Sequence, residues 1–103
     1  MRKITENAVY NFLNDTEYHS SNTEVSVYKK LNKTFMMLHG SIIAKKTKSG
    51  VFVSNAGYET NTTKERLNGL LTMIGTNLIK QKDFVWYLGD KEMPSDKFVK
   101  VRR

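Results

Sequence analysis

Between Glu24 and Ser54 one pattern repeats: a short run of β-branched, aromatic and other apolar residues, then a turn. Val25 and Val27 alternate with Ser26 and Tyr28, and this run ends at Leu31-Asn32-Lys33. Thr34 to Leu38 follows, His39-Gly40-Ser41 supplies a tight reversal, and Ile42 to Lys46 comes next. Thr47-Lys48-Ser49-Gly50 then turns the chain into Val51-Phe52-Val53-Ser54. Side chains that suit a pleated surface, interrupted by turn formers, predict a meander of four short antiparallel strands over residues 24–54.

On both sides the apolar spacing becomes helical. Ala8, Val9, Phe12 and Leu13 form a stripe over residues 5–14, with Thr5 as the expected N-cap and Ile4 and Val9 placed for a hydrophobic staple. Asn14-Asp15 ends that helix, and Glu17 to Asn22 reads as a polar connection. After the loop Asn55 to Asn61, a second helix is expected over residues 62–74. Thr62 and Glu65 have capping-box spacing, Leu67, Leu70, Leu71 and Ile74 share one face, and Gly75 supplies a left-handed cap. Gly69 lies inside this helix at a cost of ~1 kcal/mol relative to alanine, which close packing explains better than a ligand does.

Residues 78–88 predict a second hairpin turning at Lys82-Asp83; the alternative is that the helix continues to Ile79. Lys97 to Val101 has the pattern of an edge strand, and residues 97–103 as a whole form a basic tail able to clamp an anion. The expected fold class is α+β: a small antiparallel sheet, made of the four-stranded meander plus the C-terminal hairpin, packed against two helices in a single domain spanning residues 1–103.

Composition narrows the functional classes. A chain of 103 residues with no cysteine has neither disulfides nor thiolate metal sites. No apolar run approaches the ~20 residues of a membrane helix, and Met1 to Asn7 lacks the apolar core of a signal peptide. No membrane partner and a cytoplasmic location are therefore expected.

The net charge of +7 points to an anionic partner, most often nucleic acid. Between Val25 and Ser54 there are six basic residues, Lys29, Lys30, Lys33, Lys45, Lys46 and Lys48, and no acidic one. In an up-and-down meander the first and third connections lie at the same end of the sheet, so these lysines converge on one rim that attracts a phosphate backbone. If Gly40 were instead a bulge in one long bent strand, the two clusters would lie at opposite ends and the patch would dissolve. Lysines at strand edges also serve simply to prevent aggregation. Lys100, Arg102 and Arg103 add charge in the tail, and Lys64 and Arg66 stand at a helix start, where free N–H groups favour phosphate. Tyr28, Tyr58, Trp86 and Tyr87 are candidates for stacking on unpaired bases, Tyr58 foremost because it lies in a loop. The strand signature of RNA-recognition-motif domains is not present.

Catalytic and cofactor patterns are weak. His19 and His39 are the only histidines and are not spaced with acids as metal ligands would be. Asp15 with Glu17, and Asp90 with Glu92, sit on polar turns. No glycine-rich phosphate loop or serine-nucleophile signature occurs. A non-enzymatic protein without cofactor or metal is expected.

The stretches Leu38-His39-Gly40-Ser41-Ile42-Ile43-Ala44, Ser54-Asn55-Ala56-Gly57-Tyr58, Thr60 to Gly69, Gln81-Lys82 and Trp86-Tyr87-Leu88 resemble a family of small bacteriophage-encoded proteins of unknown function. The resemblance spans about Phe12 to Leu88, and its most specific part is Thr62-Thr63-Lys64-Glu65-Arg66-Leu67-Asn68. It implies a phage origin, an intracellular site of action in the infected bacterial host and a one-domain α+β fold, and it carries over no functional residue. This chain departs from the family in its lysine richness and its longer basic C-terminus. The resulting expectation is a basic protein that binds nucleic acid, RNA favoured, or a host nucleoprotein complex, as an inhibitor of host machinery or defence of the anti-CRISPR kind. The alternatives are a protein-interaction module without nucleic acid, a minor virion component and, least supported, an enzyme acting on nucleotides or nucleic acid.

Overall fold

The alternating segment forms strands β2 (Thr23–Tyr28), β3 (Lys33–Leu38), β4 (Ser41–Thr47) and β5 (Gly50–Val53) in the computed structural model, which describes residues 1–102. Each pairs antiparallel with the next, as a meander requires. His39 and Gly40 both take positive φ (51° and 80°), so β3 and β4 are joined by a tight hairpin turn and not by a bent continuous strand. A bulge does occur, in β4: Ile43 is the extra residue between the pairs Met36↔Ala44 and Met37↔Ile42. Ile43 and Ala44 are both buried as a result, and the meander is undisturbed.

At one edge the sheet is a strand wider than its periodicity indicates. Tyr18–Ser20, inside the expected polar connection, forms β1 against β2, through a turn in which Ser21 has φ 52°. At the other edge the strand expected within the basic tail forms as Val99–Arg102, paired antiparallel with β5. Between them come α2 (Asn61–Ile74), β6 (Ile79–Lys82), β7 (Val85–Leu88) and β8 (Lys91–Glu92), so the tail strand is β9. The larger sheet runs β1-β2-β3-β4-β5-β9, and β6-β7-β8 make a separate three-stranded sheet. The fold is α+β, with every strand pair antiparallel. The hairpin of the smaller sheet turns at Asp83-Phe84, both at positive φ, one residue later than the charge pattern suggests. Gly75, at φ 74° and ψ 36°, ends α2 well before Ile79, so the helical alternative for that segment does not occur.

Both helix starts differ from expectation for one reason. Helix α1 covers Lys3–Leu13, its N-cap is Arg2, and Thr5 lies inside it fully buried. The N-cap of α2 is Thr60, whose hydroxyl accepts from the Thr63 N–H at 3.1 Å. Thr5 and Glu65, assigned to caps by local spacing, are instead drawn into a cluster around the Arg66 guanidinium. Arg66 Nη1 donates to Thr5 Oγ1 at 2.9 Å, Nε donates to Thr23 Oγ1 at 3.0 Å, and the group pairs with Glu65. The Thr5 hydroxyl and the Arg2 N–H also donate to Glu65, which ties both helices to the sheet. Gly69 is buried beside it, and a Cβ there would collide with Thr5 Cγ2.

Across the sheet, Val25, Met36, Ala44 and Val53 stand in register on one face. They form one buried cluster with Ala8, Val9 and Phe12 of α1, Leu67, Leu70 and Leu71 of α2, and Ile79, Trp86 and Met93. Burying each large apolar side chain contributes about 1.5–3 kcal/mol. Both helices therefore cover the same side of the six-stranded sheet, and the smaller sheet packs beside α2.

Candidate nucleic-acid interface

Because successive side chains alternate across a strand, the register that buries Val25, Met36, Ala44 and Val53 sends their neighbours to the other face. There Ser26, Phe35, Lys45, Phe52 and Lys100 stand opposite one another in a single row crossing β2, β3, β4, β5 and β9. Lys45 Nζ lies 5.1 Å from the centre of the Phe52 ring and 4.5 Å from that of Phe98. Lys100 Nζ is 6.0 Å from Phe52. Tyr28 packs edge-on against Phe35, ring centres 5.5 Å apart, beside its cross-strand partner Lys33. Tyr28 is 50% exposed and Phe98 39%. Cations and aromatic rings thus alternate on a face that neither helix covers.

One end of this face carries a concentration of positive charge. The connection from β2 to β3 holds Lys29 and Lys30 in a single 3-10 turn, and Lys33 opens β3. Lys48 lies in the turn from β4 to β5 at the same end, and Arg102 on β9 stands opposite Val51, near the start of β5. Lys29, Lys30, Lys33, Lys48 and Arg102 are exposed, and none is ion-paired among the described residues.

Other expected site residues lie elsewhere. Lys46 points to the helix side, where its ammonium is 3.0 Å from Asp15 and donates to the Leu13 carbonyl at 2.8 Å. Asp15 also accepts from the Thr34 hydroxyl at 2.6 Å. That bond, countered by partial burial but joined by Lys46, holds its carboxyl below the usual range. The Lys46 charge is thereby paired with Asp15 and faces away from the rim. Arg66, expected to meet phosphate at a helix start, is 1% exposed and wholly engaged in its internal cluster. Lys64, on the helix side, contacts Gln81 and lies 5.8 Å from the Trp86 ring. Tyr58 lines a cavity of about 280 Å³ with Leu38 and His39, at the opposite end from the lysines. Trp86, considered for base stacking, is 2% exposed and belongs to the core. Tyr87 lies on β7 opposite Lys80. Arg103 falls outside the described residues.

Phe35, Phe52 and Phe98 are the aromatic residues that sequence reasoning passed over. Their signal was present for Phe52, which alternates with Val51 and Val53, but its cross-strand neighbours become visible only with the register.

Asp15, Glu17 and His39 do not meet in one cleft: they border three different depressions. Among the described residues no group of three or more His, Cys, Asp or Glu side chains is placed to hold a metal, and no helix is long and apolar enough to cross a membrane.

Fold and site together define a small α+β protein with a helix-covered core and, on the sheet face the helices leave uncovered, a half-buried row of aromatic and basic side chains. The chain belongs to the Kyanoviridae Gp96 protein family, whose model matches it over residues 1–103. It is thus a phage protein, as the resemblance implied. No curated protein and no solved structure matches it.

Proposed function

We propose that this phage protein binds nucleic acid, RNA in preference to DNA, and acts by occupying its target, free or within a host nucleoprotein complex, without catalysing a reaction. The observation that supports this most is the convergence of Lys29, Lys30, Lys33, Lys48 and Arg102 on one end of the sheet, free of acidic partners among the described residues. Such a rim displaces counterions from a phosphate backbone, so affinity falls steeply with salt. With about five phosphates engaged, the slope of log K against log salt for a single strand is about −3 to −4. Fluorescence anisotropy with a labelled 20-nucleotide RNA, titrated at several salt concentrations, measures it. Reversal of charge in K29E/K30E/K48E is expected to abolish binding while leaving the melting temperature near wild type. Unchanged RNA binding by that variant sinks the proposal.

A second reading, a protein-interaction module, is favoured by Leu31, which is 63% exposed amid the lysines and suits an apolar anchor on an acidic protein surface. A host protein that stays bound after nuclease treatment, with no nucleic acid recovered, would put this reading first.

A further inference from the structure

We propose that the sheet face beside the rim is a stacking platform for unpaired bases, so that the protein selects single-stranded RNA over duplex. This rests on the nucleic-acid reading of the same surface and specifies which form of nucleic acid it takes.

The geometry favouring it is the cross-strand row. Phe35 on β3 and Phe52 on β5 are separated by one strand, β4, which carries Lys45 between them. Two strand spacings place the backbone positions that carry the rings about 9.5 Å apart. Stacked bases in a nucleic-acid strand are only about 3.4 Å apart, so two bases lying on these rings must be unstacked from each other. A duplex holds its bases stacked and paired and cannot present them this way. A single strand can, and each base–aromatic stack is worth about 1–3 kcal/mol.

Charge sets the direction in which the strand lies. The rim cations occupy one end of the face, while Glu24 stands in the row at the other end, opposite Met37, which pairs in turn with Ile42. Phosphates are drawn to the rim and repelled by the Glu24 carboxylate. Bases therefore project from the rim across Phe35 and Phe52 toward the apolar pair Met37 and Ile42. Phe35 and Phe52 are half-buried, and Lys45 and Lys100 lie against the Phe52 ring, so a base that takes this ring moves their ammonium groups off it toward the flanking phosphates. Phe52 has a further property of a binding group: it projects away from the core, between the buried Val51 and Val53, where a polar residue would ordinarily stand.

The test compares a fluorescein-labelled 12-nucleotide oligouridine with a 12-base-pair RNA duplex, at fixed salt, with the full chain. Wild type is expected to bind the single strand at least 10-fold more tightly. Phe52→Leu keeps the apolar bulk and removes the aromatic face; it is expected to lose 5- to 50-fold on oligouridine, to bind duplex as before and to keep its salt slope. Phe35→Leu does the same independently, which guards against one variant failing to fold. Equal affinity for both probes in wild type, or Leu variants that bind oligouridine normally, overturns the platform and leaves the rim intact. Wild type that binds neither probe and elutes as a dimer overturns both and assigns the face to a second copy of the chain.

Discussion

Lys45 and Lys46 are adjacent in the chain, yet their ammonium groups lie on opposite sides of the sheet, one 4.5 Å from the Phe98 ring and the other 3.0 Å from the Asp15 carboxylate. The alternation of β4 alone makes this division, giving one lysine to the exposed face and the other to the end of α1.

The two lysines should therefore fail differently. Lys46→Met is expected to lower stability by about 1 kcal/mol, through the lost bond to the Leu13 carbonyl, with RNA affinity nearly unchanged. Lys45→Met should leave stability alone and weaken RNA binding several-fold. Urea denaturation and anisotropy on both variants decide it; equal effects on both readouts would contradict the division of faces.

Gly69→Ala sets local propensity against packing. Propensity alone promises a gain of about 1 kcal/mol in a helix interior. The added Cβ would strike Thr5 Cγ2, on a buried side chain held by Arg66 and Glu65. Overpacking of this kind costs about 1–3 kcal/mol. A lower melting temperature is expected, and a higher one would mean that α1 can move aside.

Acidification should weaken the fold through two carboxylates. Burial pushes the Glu65 carboxyl up, but bonds from Thr5, the Arg2 N–H and Arg66 outweigh it, and the group lies below its usual range, as Asp15 does. A depressed folded value means that the stabilisation is complete above the ordinary carboxylate pKa of about 4 and is lost as pH falls through the lower folded value. The urea midpoint should stay flat from pH 7 to about 5 and drop below about pH 4. In Glu65→Gln the drop should be shallower, and an unaltered acid limb would rule out this cluster as its cause.

Phe84 occupies a tight turn at φ 65° and is 90% exposed. A left-handed backbone costs an ordinary side chain about 1–2 kcal/mol, whereas Asp-Gly is a favoured pair for such a turn. Phe84→Gly is expected to raise stability by about 1 kcal/mol in thermal or urea melts. A decrease would mean that the ring makes contacts its exposure does not suggest.

Local chemistry by itself determined much of this protein. The alternation from Val25 to Val53 specifies the meander, and the apolar face closed by Gly75 specifies α2. The meander, once formed, gathers Lys29, Lys30, Lys33 and Lys48 at one end without further information. These features follow from backbone preferences and side-chain periodicity over a few neighbouring residues.

Tertiary structure decided the rest. Short polar segments such as Tyr18–Ser20 and Lys91–Glu92 become strands only because a neighbouring strand offers unpaired backbone groups. Thr5, Glu65 and Arg66 carry local cap and surface signals, but they meet across both helices and form a buried charge cluster instead. Phe35, Lys45, Phe52 and Lys100 become one row only through pairing register, a relation between strands that no periodicity within a single strand contains.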